Sequence, residues 1–167
     1  MEFKKIAAKD ITANPFEVID DQWMLVTGGT KDACNTMTAS WGGVGILWHM
    51  PVAFTFIRKS RYTMEFIEKN DCYTLNFFGD AYRDALNYCG TVSGRDENKI
   101  QKAGLTPVEA DCGAIYFAEA ETVFVCRKLY SDDMDEKDFI DPKINKFYLD
   151  HDYHRMYIGE IIEVLKK

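Results

Sequence analysis

No run in this 167-residue sequence approaches the ~20 consecutive apolar residues that a membrane-crossing helix needs. The amino end, Met1-Glu-Phe-Lys-Lys-Ile6, mixes charges with single apolar residues and has no secretory apolar centre. Both absences point to a cytoplasmic protein with no membrane partner. The five cysteines, Cys34, Cys72, Cys89, Cys112 and Cys126, form no C-x-x-C pair and are odd in number, so neither a disulfide framework nor a zinc cluster is indicated. They read as reduced, mostly packing thiols. A basic surplus is missing too: 20 Lys and Arg against 27 Asp and Glu give a net charge of −7, which excludes duplex nucleic acid as a natural partner. Any phosphate bound by such a chain must find a local cluster of cations.

Signature motifs are equally scarce. No G-x-G-x-x-G follows a strand, so a Rossmann dinucleotide site has no support, and the G-x-x-x-x-G-K-[ST] spacing is absent. Neither H-E-x-x-H nor G-x-S-x-G occurs, which removes the usual metalloprotease and serine-hydrolase readings. With four prolines, no repeat and no Pro/Gly-rich linker, the chain reads as one domain over 1–167, long enough to bury roughly 70% of its unfolded surface.

What is present is a series of short apolar, β-branched runs: Trp23–Thr27, Met37–Val44, Val52–Ile57, Cys72–Phe78, Ala114–Arg127 and Met156–Val164. Helical spacing appears at Arg61–Lys69 and Ala81–Cys89, with a shorter helix at Glu97–Ala103. Strands and helices do not alternate as βαβ, so the pattern predicts a mainly β protein, an antiparallel barrel with short helical insertions. The acidic stretch Ser131-Asp-Asp-Met-Asp-Glu-Lys-Asp-Phe139 reads as a solvated loop, since EF-hand spacing and its glycine are missing.

Five segments carry candidate chemistry. Asn35-Thr-Met-Thr-Ala-Ser-Trp-Gly-Gly43 has small residues at Thr38, Ala39 and Ser40, which either let a flat ligand approach the backbone or simply build a strand ending in a glycine bend. Phe56-Ile-Arg-Lys-Ser-Arg-Tyr-Thr63 concentrates three cations before a helix that Ser60 can cap. It is either an anion site or a plain cap flanked by solvated charges. Asn76-Phe-Phe-Gly79 ends a strand with aromatic residues, and Ser93-Gly-Arg-Asp-Glu-Asn-Lys99 is a polar loop whose Arg95 and Lys99 can reach an anion. Last, His154 directly precedes the final strand, a position at a barrel rim, whereas His49 reads as structural.

In this order, Asn35–Trp41, Arg58–Thr63, Asn76–Gly79, the Ser93–Lys99 loop and His154-x4-Gly159-Glu resemble the flavin reductase-like family, which includes flavoredoxins, over about residues 14–165. The resemblance implies a Greek-key split β-barrel and a homodimer holding FMN near its interface. It places Asn35, Thr38, Ala39, Ser40 and Trp41 along the isoalloxazine and ribityl chain, and Arg58, Ser60 and Thr63 at the phosphate. Asn76, Phe77 and Gly79 would form a loop against the flavin, Lys99 would approach it, and His154 would stand near its redox face as the catalytic candidate.

The implied reaction is hydride transfer from NADH or NADPH to flavin N5, with His154 orienting the nicotinamide or stabilising charge on the reduced ring and Lys99 stabilising that charge. The electron acceptor stays open between free flavin, a ferric chelate and a protein. Two alternatives share the barrel: a flavoredoxin-like carrier that takes electrons from a redox partner protein, and a non-catalytic flavin-binding module.

Overall fold

The computed structural model describes residues 2–167. Its strands are β1 (Lys4–Ile6), β2 (Met24–Thr30), β3 (Ala33–Ala39), β4 (Gly42–Leu47), β5 (Met50–Arg58), β6 (Cys72–Phe77), β7 (Pro107–Glu109), β8 (Ile115–Phe117), β9 (Thr122–Asp133) and β10 (His154–Lys166). Three α-helices, α1 (Thr63–Lys69), α2 (Arg83–Thr91) and α3 (Lys99–Lys102), fall where helical spacing was expected. Two strands predicted as continuous are broken. Met37–Val44 splits at Ser40-Trp41, and Ala114–Arg127 splits before Thr122.

One antiparallel sheet runs β3-β2-β6-β9-β10-β5-β4, with β1 added to β10; β7 and β8 form a separate hairpin. The sheet cannot be flat. Six strand spacings would separate β3 from β4 by about 29 Å, yet only Ser40 and Trp41 join them, and three residue steps span at most ~11 Å. The sheet therefore curls until its first and last strands nearly meet without bonding, which is the split barrel expected. Because α1 carries the chain from β5 over the β9–β10 pair to β6, the connection is of Greek-key type.

Side chains alternating across the sheet fill two cores. Met24 and Val26 of β2, with Phe124 and Cys126 of β9, lie in the barrel interior beside Tyr73, Leu75 and Tyr157. The neighbours on the opposite face, Leu25, Val123 and Val125, pack with Phe117 and with Leu86, Cys89 and Ile100 of α2 and α3. Gly159 is needed for this closeness: a Cβ there would stand 2.6 Å from the Tyr73 hydroxyl and 3.0 Å from the Cys126 Cβ. Among the described residues no helix is long and apolar enough to cross a membrane.

The acidic stretch corrects the loop expectation at one end. Ser131, Asp132 and Asp133 extend β9, paired with Tyr157, Met156 and Arg155, and Asp133 binds the Arg155 guanidinium at 2.6 and 3.1 Å. That ion pair, with a second from Lys59, holds the Asp133 carboxyl down at about 2.

Candidate functional site

The β5–α1 turn leaves the sheet at Arg58, directly opposite His154 in the β5–β10 register. A cavity of about 360 Å³ opens beside the turn, lined by Ser60, Arg61, Tyr62 and Thr63 with Met37 of β3 and the Val92–Gly94 loop. This lies within the size range of small-molecule sites. Gly94 keeps it tight, since a Cβ there would meet the Asn35 Oδ1 at 2.1 Å. Asn35 itself is buried and donates from Nδ2 to the Thr63 Oγ1 at 2.8 Å, fixing the hydroxyl at the head of α1.

The basic cluster of this turn is heavily neutralised. Arg58 meets Asp150 at 3.2 Å and donates to the Phe147 carbonyl at 2.8 Å. Lys59 meets Asp133 at 2.6 Å, and Arg95 meets Glu65 at 2.6 Å while also donating to the Ser60 carbonyl at 3.2 Å. Arg61 differs: its guanidinium donates to the Gly90 carbonyl at 2.9 Å, so no carboxylate cancels its charge through that bond. Burial, and after it the nearby Arg58, lowers its pKa. Ser60 is not the helix cap expected: α1 starts at Thr63, and the Ser60 hydroxyl donates to Asp152 at 2.5 Å.

Next to this turn lies an aromatic group. The His154 ring is 5.2 Å from that of Trp41, whose other edge meets Phe147 at 5.5 Å. Tyr148 shares a 2.8 Å hydrogen bond with His154 Nδ1, and Arg58 lies 5.4 Å over the Tyr148 ring. Burial and the adjacent Arg58 push the His154 pKa down to about 4. The imidazole is therefore neutral near pH 7, which removes the role of cationic charge stabiliser; a hydrogen-bonding and orienting role is left.

Other sequence candidates fall elsewhere. Asn76 is wholly buried, donating to the Leu25 carbonyl and to Thr27 and Thr74, and accepting from the Phe117 N–H at 3.1 Å. Phe77 packs on Phe124 in the barrel core, and Gly79 abuts Glu121. Asn76 and Phe77 serve the framework, because β6 is central in the sheet and both its faces are covered, whereas Gly79 lies beyond the strand and is half-buried. Lys99 is buried among the cavity walls, but its ammonium donates to the carbonyls of Cys89 and Val92 at 2.9 and 3.0 Å, closing the end of α2. Burial pushes its pKa down to about 8. Thr38 donates to the Leu86 carbonyl at 2.5 Å and so serves the β3–α2 contact, Ala39 packs against the barrel core, and Ser40 lines a groove with Trp41 and Gly43.

Sequence reasoning overlooked Met37, Tyr148, Asp150 and Asp152, and it counted Arg61 only as one cation among three. Nothing local marks the two aspartates. They reach the turn only because β10 lies beside β5.

A curled antiparallel sheet with a polar cavity at one strand end, lined by hydroxyls, guanidinium groups and two carboxylates, defines a small split-barrel protein. The chain belongs to the flavin reductase-like family: residues 19–166 match the flavin reductase like domain. Flavoredoxin of Desulfovibrio vulgaris (Miyazaki F) is 25% identical, with a TM-score of 0.68 over 96% of this chain and 75% of that one. An FMN-binding domain of a flavin reductases-like enzyme from Shewanella baltica OS155 is 18% identical, with a TM-score of 0.68 over 99% and 78%. An FMN-binding protein from Thermus thermophilus, solved with p-hydroxybenzaldehyde, is 16% identical with a TM-score of 0.69 over 98% and 82%. A search of curated protein sequences gives no match.

Proposed function

We propose that this chain binds FMN and acts as an oxidoreductase of the flavin-reductase type. The observation that carries the reading is the cavity at the β5–α1 turn, where Ser60, Arg61 and Thr63 converge and the Arg61 guanidinium bonds only a carbonyl. A guanidinium with two hydroxyls suits a phosphomonoester, and small-molecule sites commonly combine such polar groups with an apolar wall. Arg61, Ser60 and Thr63 would hold the phosphate, and Trp41 with His154 would flank the ring. Bound FMN supplies a ring that accepts a hydride and passes electrons on, so no side chain need act as a nucleophile. The protein's part is to position and to exclude water: the neutral His154, held by Tyr148, offers a hydrogen bond without adding charge.

NADH or NADPH is the proposed donor, in the reducing cytoplasm that five unpaired thiols suit. The test is to record the visible spectrum after FMN loading and then add NADH or NADPH anaerobically. Rapid bleaching supports a reductase. A protein that cannot be loaded with FMN would sink the reading. A yellow protein that stays oxidised until a redox partner is added favours the second reading, a flavoredoxin-like carrier, for which the flavoredoxin likeness and the acidic β9 end are the supporting observations.

We also propose a homodimer. Edge strand β4 and its turns expose Trp41, Val44, Ile46 and Trp48 beside an apolar groove of about 530 Å³ that includes Val18, Ile19 and Pro51. An exposed apolar edge of this kind is a pairing surface. Sedimentation should give twice the chain mass, and Ile46→Lys should return it to the monomer.

A further inference from the structure

We propose that Asp152, supported by Asp150, is a specificity-determining latch of the anion cradle: its carboxylate takes the place that a phosphomonoester must win. The proposal rests on the FMN reading for the identity of the ligand, though not for the existence of the latch.

The Asp152 carboxylate accepts from the Ser60 N–H at 3.2 Å and from the Ser60 hydroxyl at 2.5 Å. Those are the donors that an incoming anion would use at this turn. Arg58 Nη1 donates to the Asp150 carboxylate at 3.2 and 3.3 Å and to the Asp152 carbonyl at 3.4 Å, while Nη2 donates to the Phe147 carbonyl at 2.8 Å. Both aspartates line the cavity together with Ser60, Arg61 and Thr63. An anion entering therefore meets two negative charges at the mouth and finds Ser60 and Arg58 already satisfied. A phosphate-free flavin meets neither obstacle, because it asks nothing of those donors.

The segment carrying the aspartates is lightly held. Tyr148 anchors it, 4% exposed and bonded to His154, but Leu149 beyond that anchor is 84% exposed, so little apolar burial resists a local turn of residues 149–152 that withdraws the two carboxylates. Displacing it would free the Ser60 hydroxyl, the Ser60 N–H and the Arg58 guanidinium at once. The consequence is a site that discriminates weakly between FMN and riboflavin and exchanges FMN readily, as a protein would that treats flavin as a substrate and not as a fixed group.

The experiment titrates FMN, riboflavin and inorganic phosphate into the intact protein, the wild type and Asp152→Asn side by side, following tryptophan and flavin fluorescence. The Asn amide oxygen still accepts from the Ser60 N–H, so the segment stays placed while the charge is lost. FMN and phosphate should tighten at least tenfold, and riboflavin should stay within about twofold, which also reports that the variant is folded. Asp150→Asn should act in the same direction but less, by about threefold. If FMN and riboflavin shift by the same factor, or FMN weakens, the latch is overturned and Asp152 only holds its segment. If phosphate tightens but no flavin binds either protein, the latch stands and the FMN reading falls.

Discussion

Lowering the pH should destabilise this protein through one identifiable group before its carboxylates begin to titrate. His154 is 7% exposed, packed against Trp41 and Tyr148 with the Arg58 guanidinium nearby, and its pKa is pushed down from 6.5 to about 4. The unfolded chain takes up the proton near 6.5, and the folded chain resists until about 4. Between those values the unfolded state binds more protons, so stability is fully present above about pH 6.5 and is lost as the pH falls. Over the interval from about pH 7.5 to about pH 5 the loss works out at about 2 kcal/mol, with a ceiling of about 3 kcal/mol once the folded imidazole is protonated.

The window is separable from the acid groups. Asp133, held at about 2 by Arg155 and Lys59, gives up its contribution only below its ordinary 3.8, and Glu68, lowered chiefly by the Tyr157 hydroxyl, only below its ordinary 4.5. Urea unfolding at a series of pH values, run on the wild type and on His154→Gln, isolates the imidazole. The difference in stability between them should shrink by about 2 kcal/mol from about pH 7.5 to about pH 5. Parallel curves for the two proteins would refute the burial argument and return the His154 pKa to its ordinary range.

Arg61→Met should weaken FMN roughly 10- to 100-fold, the worth of a charge-assisted hydrogen bond, with riboflavin nearly unaffected in the same fluorescence titration. Asn76→Ala leaves the buried Phe117 N–H without its acceptor and the Leu25 carbonyl without the amide donor, and should cost about 3 kcal/mol in urea unfolding, without favouring one flavin over the other. Lys99→Met leaves the Cys89 and Val92 carbonyls without their ammonium and should cost about 1–3 kcal/mol. FMN and riboflavin affinities should then move together, and a selective loss of FMN would return Lys99 to the phosphate.

Where period and punctuation carry the information, the sequence was a good guide. The short apolar, β-branched runs Val52–Ile57 and Cys72–Phe78 mark β5 and β6, both inside one continuous sheet. The break at Ser40-Trp41 was half legible: the double glycine signalled a bend, but the bend falls just before it and both glycines begin β4, because curling brings the two sheet edges together there. Asn76 shows the opposite failure. A polar residue at a strand end looks like a ligand contact, yet it satisfies β8 and its sheet neighbours in a space closed on every side. Local chemistry cannot report which face of a central strand stays open.

The cradle makes the same point about charge. Three cations within four residues of an acidic protein read either as an anion site or as solvated charges beside a cap. The fold instead places Asp133 against Lys59 and Asp150 against Arg58, so two of the three charges are already answered by the β9 and β10 ends. Only pairing between strands far apart in sequence brings those acids to the turn. What selects Arg61 is thus the subtraction of its neighbours' partners. A carbonyl-bonded guanidinium at a cavity wall is a stronger pointer to an anion than the richer cluster that contains it, because no carboxylate hydrogen-bonds it and Asp152 acts on it only from a distance.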